Sequence, residues 1–369
     1  MIIITTQQNI FKEIIDKKDR VTQIIENNNL DGVYLTKNVN FSWFFAGAEH
    51  YIDISSEKSA SRILITKNDI IVESDNIEKS RLENEELRFD ELIDYDMIFW
   101  YEERKSKAGN FGYDNEEGNH FCVSDQIKKL RMQLTPNEVE RYKKLAKQTG
   151  NIIEEVAKNI KVGISEYQIA SKLAQKCYKK GIIPVVNLVA VDDRVFKYRH
   201  PLPKNNTLKK YAMLVICAKK WGLVANATRL VHFGPLSEEL NNKYKVLQDI
   251  EKIFLDNSQP GNSLKDIFRN SIKQYEKVGY PEEWKKHHQG GLTGYNSREI
   301  IADFDTDYII KENQAFAWNP SITGTKIEDT FLLKNDSLES ITETGNWDYN
   351  TITIQNKKTL RPNILIRNN

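Results

Sequence analysis

Apolar and polar residues alternate along the first hundred positions with two different periods. Residues 10–29 have apolar side chains at helical spacing, and residues 32–35 form a short apolar run that is typical of a buried strand. Two further runs, 61–66 and 69–72, predict a hairpin that turns at Lys67-Asn68. The remaining predicted elements are a charged helix and a short strand, at 76–89 and 97–101. Strands separated by helices predict a layered α/β domain.

A long helix is predicted to start after residue 135. Thr135 precedes Pro136, and Glu138 follows three residues after Thr135, which is a capping box with proline in the first helical position. We place a domain boundary near residue 130, giving domains of 1–129 and 130–369. In the second domain, periodicity predicts helices at 136–160, 165–180, 237–257 and 263–278, and strands at 184–191, 212–217 and near 315 and 328. The fold class is therefore α/β (α+β).

Composition narrows the possible partners and compartment. The chain has 53 basic and 52 acidic residues, so no net field attracts nucleic acid or an anionic membrane, and we expect neither as a partner. The three cysteines lie far apart without CxxC spacing, which argues against a disulfide framework and a structural zinc site. The apolar start is too short for a signal peptide. We expect a soluble, cytoplasmic protein.

Five motifs in a fixed order carry the candidate chemistry of the second domain. One motif alone would be weak evidence for a family, but five motifs in this order and spacing are specific evidence. They are Arg199-His-Pro-Leu-Pro, Leu214-Val-Ile with Asn226-Ala-Thr-Arg, His288-Gln-Gly-Gly, Phe316-Ala-Trp-Asn-Pro and Gly324-Thr-Lys-Ile-Glu-Asp-Thr.

Through these motifs, nearly the whole second domain resembles the pita-bread (peptidase M24) family, which contains methionine aminopeptidase, Xaa-Pro aminopeptidase, prolidase and creatinase. The first domain, with Asp31-Gly-Val-Tyr-Leu and Asn40-Phe-Ser-Trp-Phe, resembles the amino-terminal domain of creatinase, prolidase and aminopeptidase P. The resemblance implies a three-layer creatinase-type domain followed by a pita-bread domain. It also implies a homodimer and a small amide or peptide-like substrate.

In the metallopeptidases of this family, two divalent ions are held by two aspartates eleven residues apart, a histidine and two glutamates. The resemblance assigns these places to Val215, Asn226, His288, Asn319 and Glu328. Two dications about 3.5 to 4 Å apart repel by on the order of 20 kcal/mol at an effective dielectric constant of about 20, so the site needs several carboxylates. Only Glu328 is one. We expect no metal and no cofactor.

A single zinc ion is the alternative metal site. Zinc requires at least three protein ligands. His288 and Glu328 are two, and His287 or His200 would have to turn inward to supply the third. We expect His287 to be a solvated neighbour instead.

Creatinase shows what the resemblance implies for catalysis without metal, because a histidine there performs the acid and base chemistry. His200 corresponds to that histidine, and an imidazole with an ordinary pKa near 6.5 can accept and donate a proton at neutral pH. Thr228 stands where creatinase has a glutamate that binds guanidinium, which argues against creatine. We predict His200, His288 and Glu328 as catalytic residues. The predicted substrate-binding residues are Asn226, Thr228, Tyr295, Asn319 and His232.

Other residues have structural interpretations. Asn226 and Asn319 either bind substrate or satisfy backbone groups. Glu328 is expected on a strand, either exposed and paired with Lys326 or, as the apolar Ile327 favours, facing away from Ile327. The sequence also predicts a structural salt bridge for Arg229, and a core or dimer position rather than a substrate platform for Phe41, Trp43 and Phe44.

Three functions fit these residues to different degrees. The first is a metal-independent hydrolase of a small amide, amidine or dipeptide bond, with His200 as general acid and base. The second is a pseudoenzyme that binds a peptide or protein, as metal-free relatives of this fold do in chromatin complexes. The third, a true metallo-aminopeptidase, follows from fold analogy alone and is contradicted by the ligand count.

Overall fold

The structure is a computed structural model that describes residues 7–87, 92–104, 107–116, 118 and 120–368. Contacts divide the chain into two compact units, Met1–Glu138 and Val139–Asn369. Among the described residues, no helix combines the length and the apolar character that a membrane crossing requires.

The first unit is built on a six-stranded mixed sheet. Its strands are β1 (Gly32–Lys37), β2 (Lys58–Ile65), β3 (Ile70–Asp75), β4 (Asp94–Ile98), β5 (Phe111–Tyr113) and β6 (Phe121–Cys122), and its helices are α1 (Gln7–Asn27), α2 (Asn38–Phe44), α3 (Lys79–Arg81) and α4 (Ser124–Arg131). The strand order is β4-β3-β2-β1-β5-β6. The predicted hairpin is confirmed, because β2 and β3 pair antiparallel.

Two predicted elements of the first unit have different bounds in the structure. The helix expected over 76–89 consists of α3 followed by one turn of π-helix, Leu82–Glu86, and its positions 88 and 89 lie outside the described residues. The strand expected over 97–101 begins earlier and ends at Ile98. Trp100 and Tyr101 are exposed, so their aromatic character suggested a strand where the chain turns at the surface.

The core of the first unit confirms the helical period of α1. Ile14, Val21 and Ile25 follow one another at spacings of seven and four and have no exposed surface, so one face of the helix is buried. Phe41, Trp43 and Phe44 are also fully buried. They belong to the core, as predicted.

The second unit contains two sheets and two separate hairpins. Its helices are α5 (Pro136–Asn159), α6 (Glu166–Tyr178), α7 (Asp193–Lys197), α8 (Glu238–Asn257) and α9 (Leu264–Lys277), with a 3-10 turn at Glu283–Lys286. Its strands are β7 (Ile183–Val191), β8 (Tyr211–Lys220), β9 (Leu223–Phe233), β10 (Gly290–Thr293), β11 (Ile300–Ile301), β12 (Gln314–Trp318), β13 (Ser321–Ile322), β14 (Thr325–Lys326), β15 (Phe331–Lys334), β16 (Ser337–Ser340), β17 (Tyr349–Ile354), β18 (Lys357–Pro362) and β19 (Leu365–Arg367).

The two sheets differ in strand pairing. One has the order β19-β9-β8-β7, with β19 parallel to β9 and the other pairs antiparallel. The other has the order β11-β10-β12-β15-β16 and is antiparallel throughout. The hairpins are β13–β14 and β17–β18.

The helix ranges predicted from local sequence signals in this unit are close to the observed ranges. The capping box before α5 is confirmed, because the backbone N–H of Thr135 donates to Glu138 Oε2 at 2.7 Å and the N–H of Glu138 donates to Thr135 Oγ1 at 3.3 Å. A second capping box joins Ser165 and Gln168 at the start of α6. Because caps satisfy backbone donors that the helix itself leaves free, they fix where the helix begins.

The prediction that Glu328 lies on a strand is wrong. Residues 327–330 are irregular and buried between β14 and β15. Their backbone groups bond outside a regular ladder: the N–H of Thr228 donates to the carbonyl of Glu328 at 2.9 Å, and the N–H of Thr330 donates to Thr342 Oγ1 at 3.1 Å. Ile327 and Glu328 are therefore both buried rather than on opposite faces of a sheet.

A buried ionic network holds the residue that follows Glu328. Asp329 accepts hydrogen bonds from Arg229 at 3.0 Å and from Arg361 at 2.8 Å. Arg229 also pairs with Glu154 at 2.9 Å, which confirms its predicted structural salt bridge, and Arg361 pairs with Glu251. These contacts fix the backbone on which Glu328 is carried.

Candidate functional site

The β8–β9 hairpin forms one wall of the site and sets which residues face each other. Its two-residue turn, Trp221-Gly222, has φ values of 53° and 75°, as a type I′ turn requires. With this turn, Cys217 lies opposite Asn226 and Val215 opposite Thr228. Directly facing side chains on neighbouring strands lie closer together than diagonal ones. Cys217 faces Asn226 and Val215 lies diagonally from it, so the register favours Cys217 over Val215 as the counterpart of the first aspartate.

The Cys217 thiol is protonated as long as no metal ion is bound to it. Its side chain is buried, and burial raises its pKa to about 12. Metal binding and nucleophilic attack both require the thiolate. Cys217 therefore contributes a neutral wall where the family places a carboxylate.

Asn226 is buried and held in one orientation. Its Nδ2 donates to Thr293 Oγ1 at 3.1 Å, and the hydroxyl of Thr293 donates onward to the carbonyl of Asn296 at 3.0 Å. Because Thr293 uses its proton there, it must accept from Asn226, and this fixes the amide orientation. The Oδ1 of Asn226 is buried and has no hydrogen-bond partner among the described residues.

Asn319 carries a similar unused acceptor. It follows β12, and its backbone N–H donates to the carbonyl of Gln289 at 3.0 Å. Its Oδ1 is buried without a partner in the described part of the chain. Burying an amide oxygen without a hydrogen bond is unfavourable, so Asn226 and Asn319 are both available to a ligand or to water.

Glu328 is surrounded by donors rather than left open. Its Oε1 accepts from Arg298 Nη2 at 2.6 Å, and its Oε2 lies 3.1 Å from Lys326 Nζ and accepts from Thr228 Oγ1 at 2.9 Å. Burial would raise the pKa of Glu328, but Lys326 and Arg298 outweigh burial and hold it well below its ordinary range. The carboxylate is therefore ionised and engaged by a cationic pair, Arg298 and Lys326.

Three imidazoles form a histidine cluster beside this carboxylate: His200, His287 and His288. His287 Nε2 lies 2.9 Å from His200 Nε2, and the rings of His287 and His288 stack with centroids 4.3 Å apart. His287 is 8% exposed, so the expectation that it is a solvated neighbour is wrong. His200 is exposed and His288 is half-buried.

Burial, together with positive neighbours, keeps the histidine cluster neutral. Burial, with Lys326 and His288 adding to it, lowers the pKa of His287 to about 2. Burial together with Arg298 and Lys326 lowers the pKa of His288 to about 4. Burial and Lys326 also lower the pKa of His200 below its ordinary value. At neutral pH all three imidazoles are uncharged.

The hydrogen bonds of His287 fix the tautomer of His200. His287 Nδ1 lies 2.5 Å from the carbonyl oxygen of His288, which can only accept. His287 Nδ1 therefore carries its proton, and its Nε2 is the acceptor. The proton between the two rings consequently belongs to His200 Nε2, and neutral His200 carries its free lone pair on Nδ1.

The turn after His288 depends on glycine. A Cβ on Gly290 would lie 2.2 Å from the carbonyl oxygen of Ala317, and one on Gly291 would lie 2.2 Å from that of Ile300. Gly290 also has a φ of 93°, which side chains other than glycine rarely tolerate. The close approach of β10 to β12 brings Gln289 to Asn319, whose backbone N–H donates to the carbonyl of Gln289.

The family model for metallopeptidase family M24 matches residues 140–335. The chain belongs to this family. The Xaa-Pro dipeptidase of Pyrococcus horikoshii is 22% identical over 357 residues, covering 89% of this chain and 97% of that protein. The prolidase structure from Pyrococcus horikoshii has a TM-score of 0.75 at 17% identity, covering 89% of this chain and 98% of that one.

A further structural match is the N-terminal domain of the FACT complex subunit SPT16 from chickpea, with a TM-score of 0.68 at 13% identity, covering 92% of this chain and 97% of that one. At such identities, structural similarity shows the fold alone. The family and the α/β fold with two-domain pita-bread architecture are as predicted.

In this M24 chain, four of the predicted site residues lie together, whereas Tyr295 and His232 are placed elsewhere. His200, His288, Thr228 and Glu328 are brought together by contacts or charge interactions. Tyr295 is buried in the turn after β10, with its backbone N–H donating to Glu299 at 3.1 Å. His232 lies four residues along β9 from Thr228, about 13 Å away. It lines a different cleft, of about 960 Å³, with Tyr211 and Phe196.

The sequence interpretation considered Lys326 as a partner of Glu328, because a spacing of two puts side chains on the same side of an extended chain. The structure confirms that contact but buries both residues. The other member of the cationic pair, Arg298, was missed. Arg298 follows a turn and gives no such local signal. A metal could draw ligands from the histidine cluster, whose ligand atoms lie within 4.8 Å of one another.

Proposed function

We propose that this M24 chain hydrolyses a small carbon–nitrogen bond, in an amide, amidine or dipeptide, without the family's dinuclear metal centre and with His200 as general acid and base. The contact between His200 and His287 is the observation that carries this proposal. It leaves an exposed imidazole with a defined proton on Nε2 and a free lone pair on Nδ1.

The donor set supports the metal-free part of the proposal. Asn226 and Asn319 are neutral, Cys217 is a protonated thiol, and Glu328 is already neutralised by the cationic pair. A dinuclear centre needs carboxylates that balance four positive charges. This pocket adds positive charge instead, so the two dications do not fit.

His200 can complete the proton transfers of hydrolysis. In the proposed reaction, His200 Nδ1 takes a proton from water while the water oxygen bonds to the carbonyl or amidine carbon. The protonated ring then gives that proton to the leaving nitrogen as the carbon–nitrogen bond breaks. His287 remains neutral because its pKa is about 2. It therefore accepts the hydrogen bond from His200 throughout and orients the ring.

The remaining predicted residues take secondary roles in the proposal. His288 faces the ligand with its unpartnered Nδ1, and Asn226 and Asn319 offer their buried amide oxygens to ligand N–H groups. Glu328 and Thr228 position the cationic pair. The homodimer, the cytoplasmic location and the peptide-like substrate are also parts of this proposal.

The test is a turnover screen of small amides, guanidino acids and Xaa-Pro dipeptides with the full chain. We expect His200→Ala to lower kcat by about a hundredfold or more, while His120→Ala, a histidine in the first unit, leaves it unchanged. The rate should fall with acidity below pH 6.5, because the lowered pKa of His200 delays its protonation to that range. Turnover that survives His200→Ala would refute the acid and base role.

A catalytically inactive peptide- or protein-binding module is the second candidate. The replacement of carboxylates by Asn226 and Asn319 favours it, because their free amide oxygens can accept hydrogen bonds from a peptide backbone. The structural similarity to the SPT16 domain of a FACT complex fits the same idea. This candidate holds if no substrate turns over and peptides bind equally to the unaltered chain and to His200→Ala.

A further inference from the structure

Arg199, the residue before His200, has a side chain that the proposed reaction does not use. Its Nη2 donates to Glu283 Oε2 at 2.8 Å and to Thr323 Oγ1 at 3.0 Å, and its Nε donates to Ser321 Oγ at 3.1 Å. The side chains of Arg199 and Glu283 are each 13% exposed, so the ion pair is largely shielded from water. Hydrogen bonds between ionised groups are stronger than neutral ones, so this contact can hold two segments of the chain together.

The partner of Arg199 belongs to the segment that carries His287. Glu283 begins the 3-10 turn Glu283–Lys286, which leads directly into His287. Its carboxylate accepts from Lys286 Nζ at 2.7 Å, and from the backbone N–H and the hydroxyl of Thr323 at 2.9 Å each. Burial would raise the pKa of Glu283, but these hydrogen bonds outweigh burial and lower the pKa below its ordinary value. The carboxylate is therefore ionised at neutral pH.

The segment that carries His200 has few other anchors. Residues 198–206 form neither helix nor strand, and the backbone N–H groups of Arg199, His200 and Leu202 make no hydrogen bond within the described part of the chain. Arg194 donates to the carbonyl of Leu202 at 2.8 Å, but its own ion pair is with Glu166 on α6. An exposed side chain on an irregular segment gains entropy by leaving a single orientation. The orientation of His200 therefore needs support from its neighbours.

His287, in contrast, is held independently of Arg199. Gln289 Nε2 donates to the carbonyl of His287 at 2.6 Å. Gln289 Oε1 accepts from the hydroxyl of the buried Tyr275 at 2.8 Å, and that hydroxyl accepts from the backbone N–H of Ser321 at 3.1 Å. Loss of the Arg199 ion pair should therefore displace His200 and leave His287 in place.

We propose that Arg199 is a positioning residue of the His200 site, and that its ion pair with Glu283 keeps the imidazoles of His200 and His287 within hydrogen-bonding distance. The two links join the same two segments, the ion pair at 2.8 Å and the imidazole nitrogens at 2.9 Å. A hydrogen bond between neutral groups contributes only modestly to stability, so the ion pair is the stronger of the two links.

This inference rests on the proposed function, because Arg199 affects hydrolysis through His200 alone. While the ion pair holds, His200 donates its Nε2 proton to His287 and keeps the lone pair on Nδ1 directed by that bond. Arg199 itself transfers no proton and touches no reacting atom. Its removal should lower kcat by about tenfold to a hundredfold, the usual consequence of a misplaced reacting group, and change KM by less than about twofold.

The test detects the hydrogen bond between the imidazoles, by NMR of the full chain with ¹⁵N in its six histidine rings. An N–H···N hydrogen bond gives a scalar coupling between its two nitrogens, here His200 Nε2 and His287 Nε2, and His200→Ala assigns it by removing it. We expect the coupling in the unaltered chain and its loss in Arg199→Gln. The Nδ1–H resonance of His287, which is bonded to the carbonyl of His288, should persist.

Two comparisons separate positioning from a general loss of structure. Lys285→Gln is the matched control, because Lys285 lies in the same 3-10 turn as Glu283 and pairs with Glu282 at 2.8 Å. It should keep both the coupling and kcat. The Nδ1–H of His232, bonded to the carbonyl of Gly234 at 2.9 Å, should give the same resonance in every variant and so show that the second unit is folded.

A double-mutant cycle tests whether the ion pair itself is responsible. Glu283→Gln should lower kcat in the same direction as Arg199→Gln. The variant with both changes should be no slower than the slower single variant, because both changes break one contact. Effects on kcat that simply add would show independent roles and overturn the proposal, as would a coupling that survives in Arg199→Gln.

The NMR measurement needs no substrate, so it separates this inference from the proposed function. Loss of the coupling in Arg199→Gln, with no substrate turned over by the unaltered chain, would sink the hydrolase and leave the positioning of His200 intact. Turnover that depends on His200, with a coupling and a kcat that Arg199→Gln leaves unchanged, would sink the positioning role and leave the hydrolase intact.

Discussion

At the scale of single residues, burial and a nearby arginine keep His50 and His288 neutral. His50, in the first unit, is 1% exposed, and Arg81 Nη2 donates to its Nδ1 at 2.9 Å. Burial, followed by Arg81, lowers the pKa of His50 to about 4. His288, in the second unit, shows the same direction for the same kind of reason.

The lowered pKa of His50 predicts a loss of stability in acid. Below pH 6.5 the unfolded chain binds a proton at this histidine, whereas the folded chain does not until the pH nears 4. The free energy of unfolding should therefore fall as the pH falls through this range, by up to about 1.4 kcal/mol per pH unit for this group.

Urea unfolding of the His50→Gln variant and of the unaltered chain at several pH values measures this effect. The variant should lose part of the pH dependence of the free energy of unfolding between pH 6.5 and 4. Ser59→Ala serves as the control, because it removes a hydrogen bond to the carbonyl of His50 without removing a titratable group, and it should keep the pH dependence. Identical slopes for His50→Gln and the unaltered chain would contradict the prediction.

At the scale of elements, the turn between His288 and β10 determines how close β10 comes to β12. Gly290 pairs with Trp318, and a Cβ at Gly290 would meet the carbonyl of Ala317 at 2.2 Å. The carbonyl of Ala317 belongs to β12, so it cannot move away from an added Cβ without disturbing the sheet.

Gly290→Ala should therefore lower the free energy of unfolding by on the order of 2 to 4 kcal/mol, through a positive φ and a backbone clash together. Gly279→Ala is the matched control, because Gly279 also has a positive φ, of 86°, but no heavy atom within 4 Å of the added Cβ. It should cost about 1 kcal/mol. Urea unfolding measures the free energy of unfolding of both variants. Equal decreases in the two would show that the clash with the Ala317 carbonyl does not contribute.

The register of the β8–β9 hairpin is also an element-scale property. The two-residue turn at Trp221-Gly222 pairs Cys217 with Asn226 nine positions later. A hairpin with one more residue in each strand would give a spacing of eleven while keeping the same facing pair. The linear spacing of a motif is therefore a weaker guide to facing residues than the turn that joins them.

At the scale of the whole molecule, the charge of the pocket predicts its metal content. Two cations already occupy the surroundings of Glu328, and the neutral histidine cluster offers imidazole nitrogens but no charge balance. Metal analysis of the full chain, purified without chelator, should give well under one tightly bound ion per chain.

His288→Ala is the control for the metal prediction. If an ion were bound through the histidine cluster, this variant would lower the metal content, whereas we expect no change from an already low value. A content near two ions per chain would restore the dinuclear interpretation and end the metal-free proposal.

The sequence determined the features that depend on neighbours along the chain. Helical spacing gave α1, the capping box gave the start of α5, and the ordered motifs identified the M24 family. These signals are readable because helix periods, caps and tight turns are set by residues a few positions apart.

Only the tertiary structure decided how the site is charged and shaped. Thr228 and Arg298 meet Glu328 across 100 and 30 positions of sequence, and His200 meets His287 across 87. No local period encodes such contacts. They arise because packed strands and buried irregular segments bring distant side chains together, and because burial then decides which of these groups remain charged.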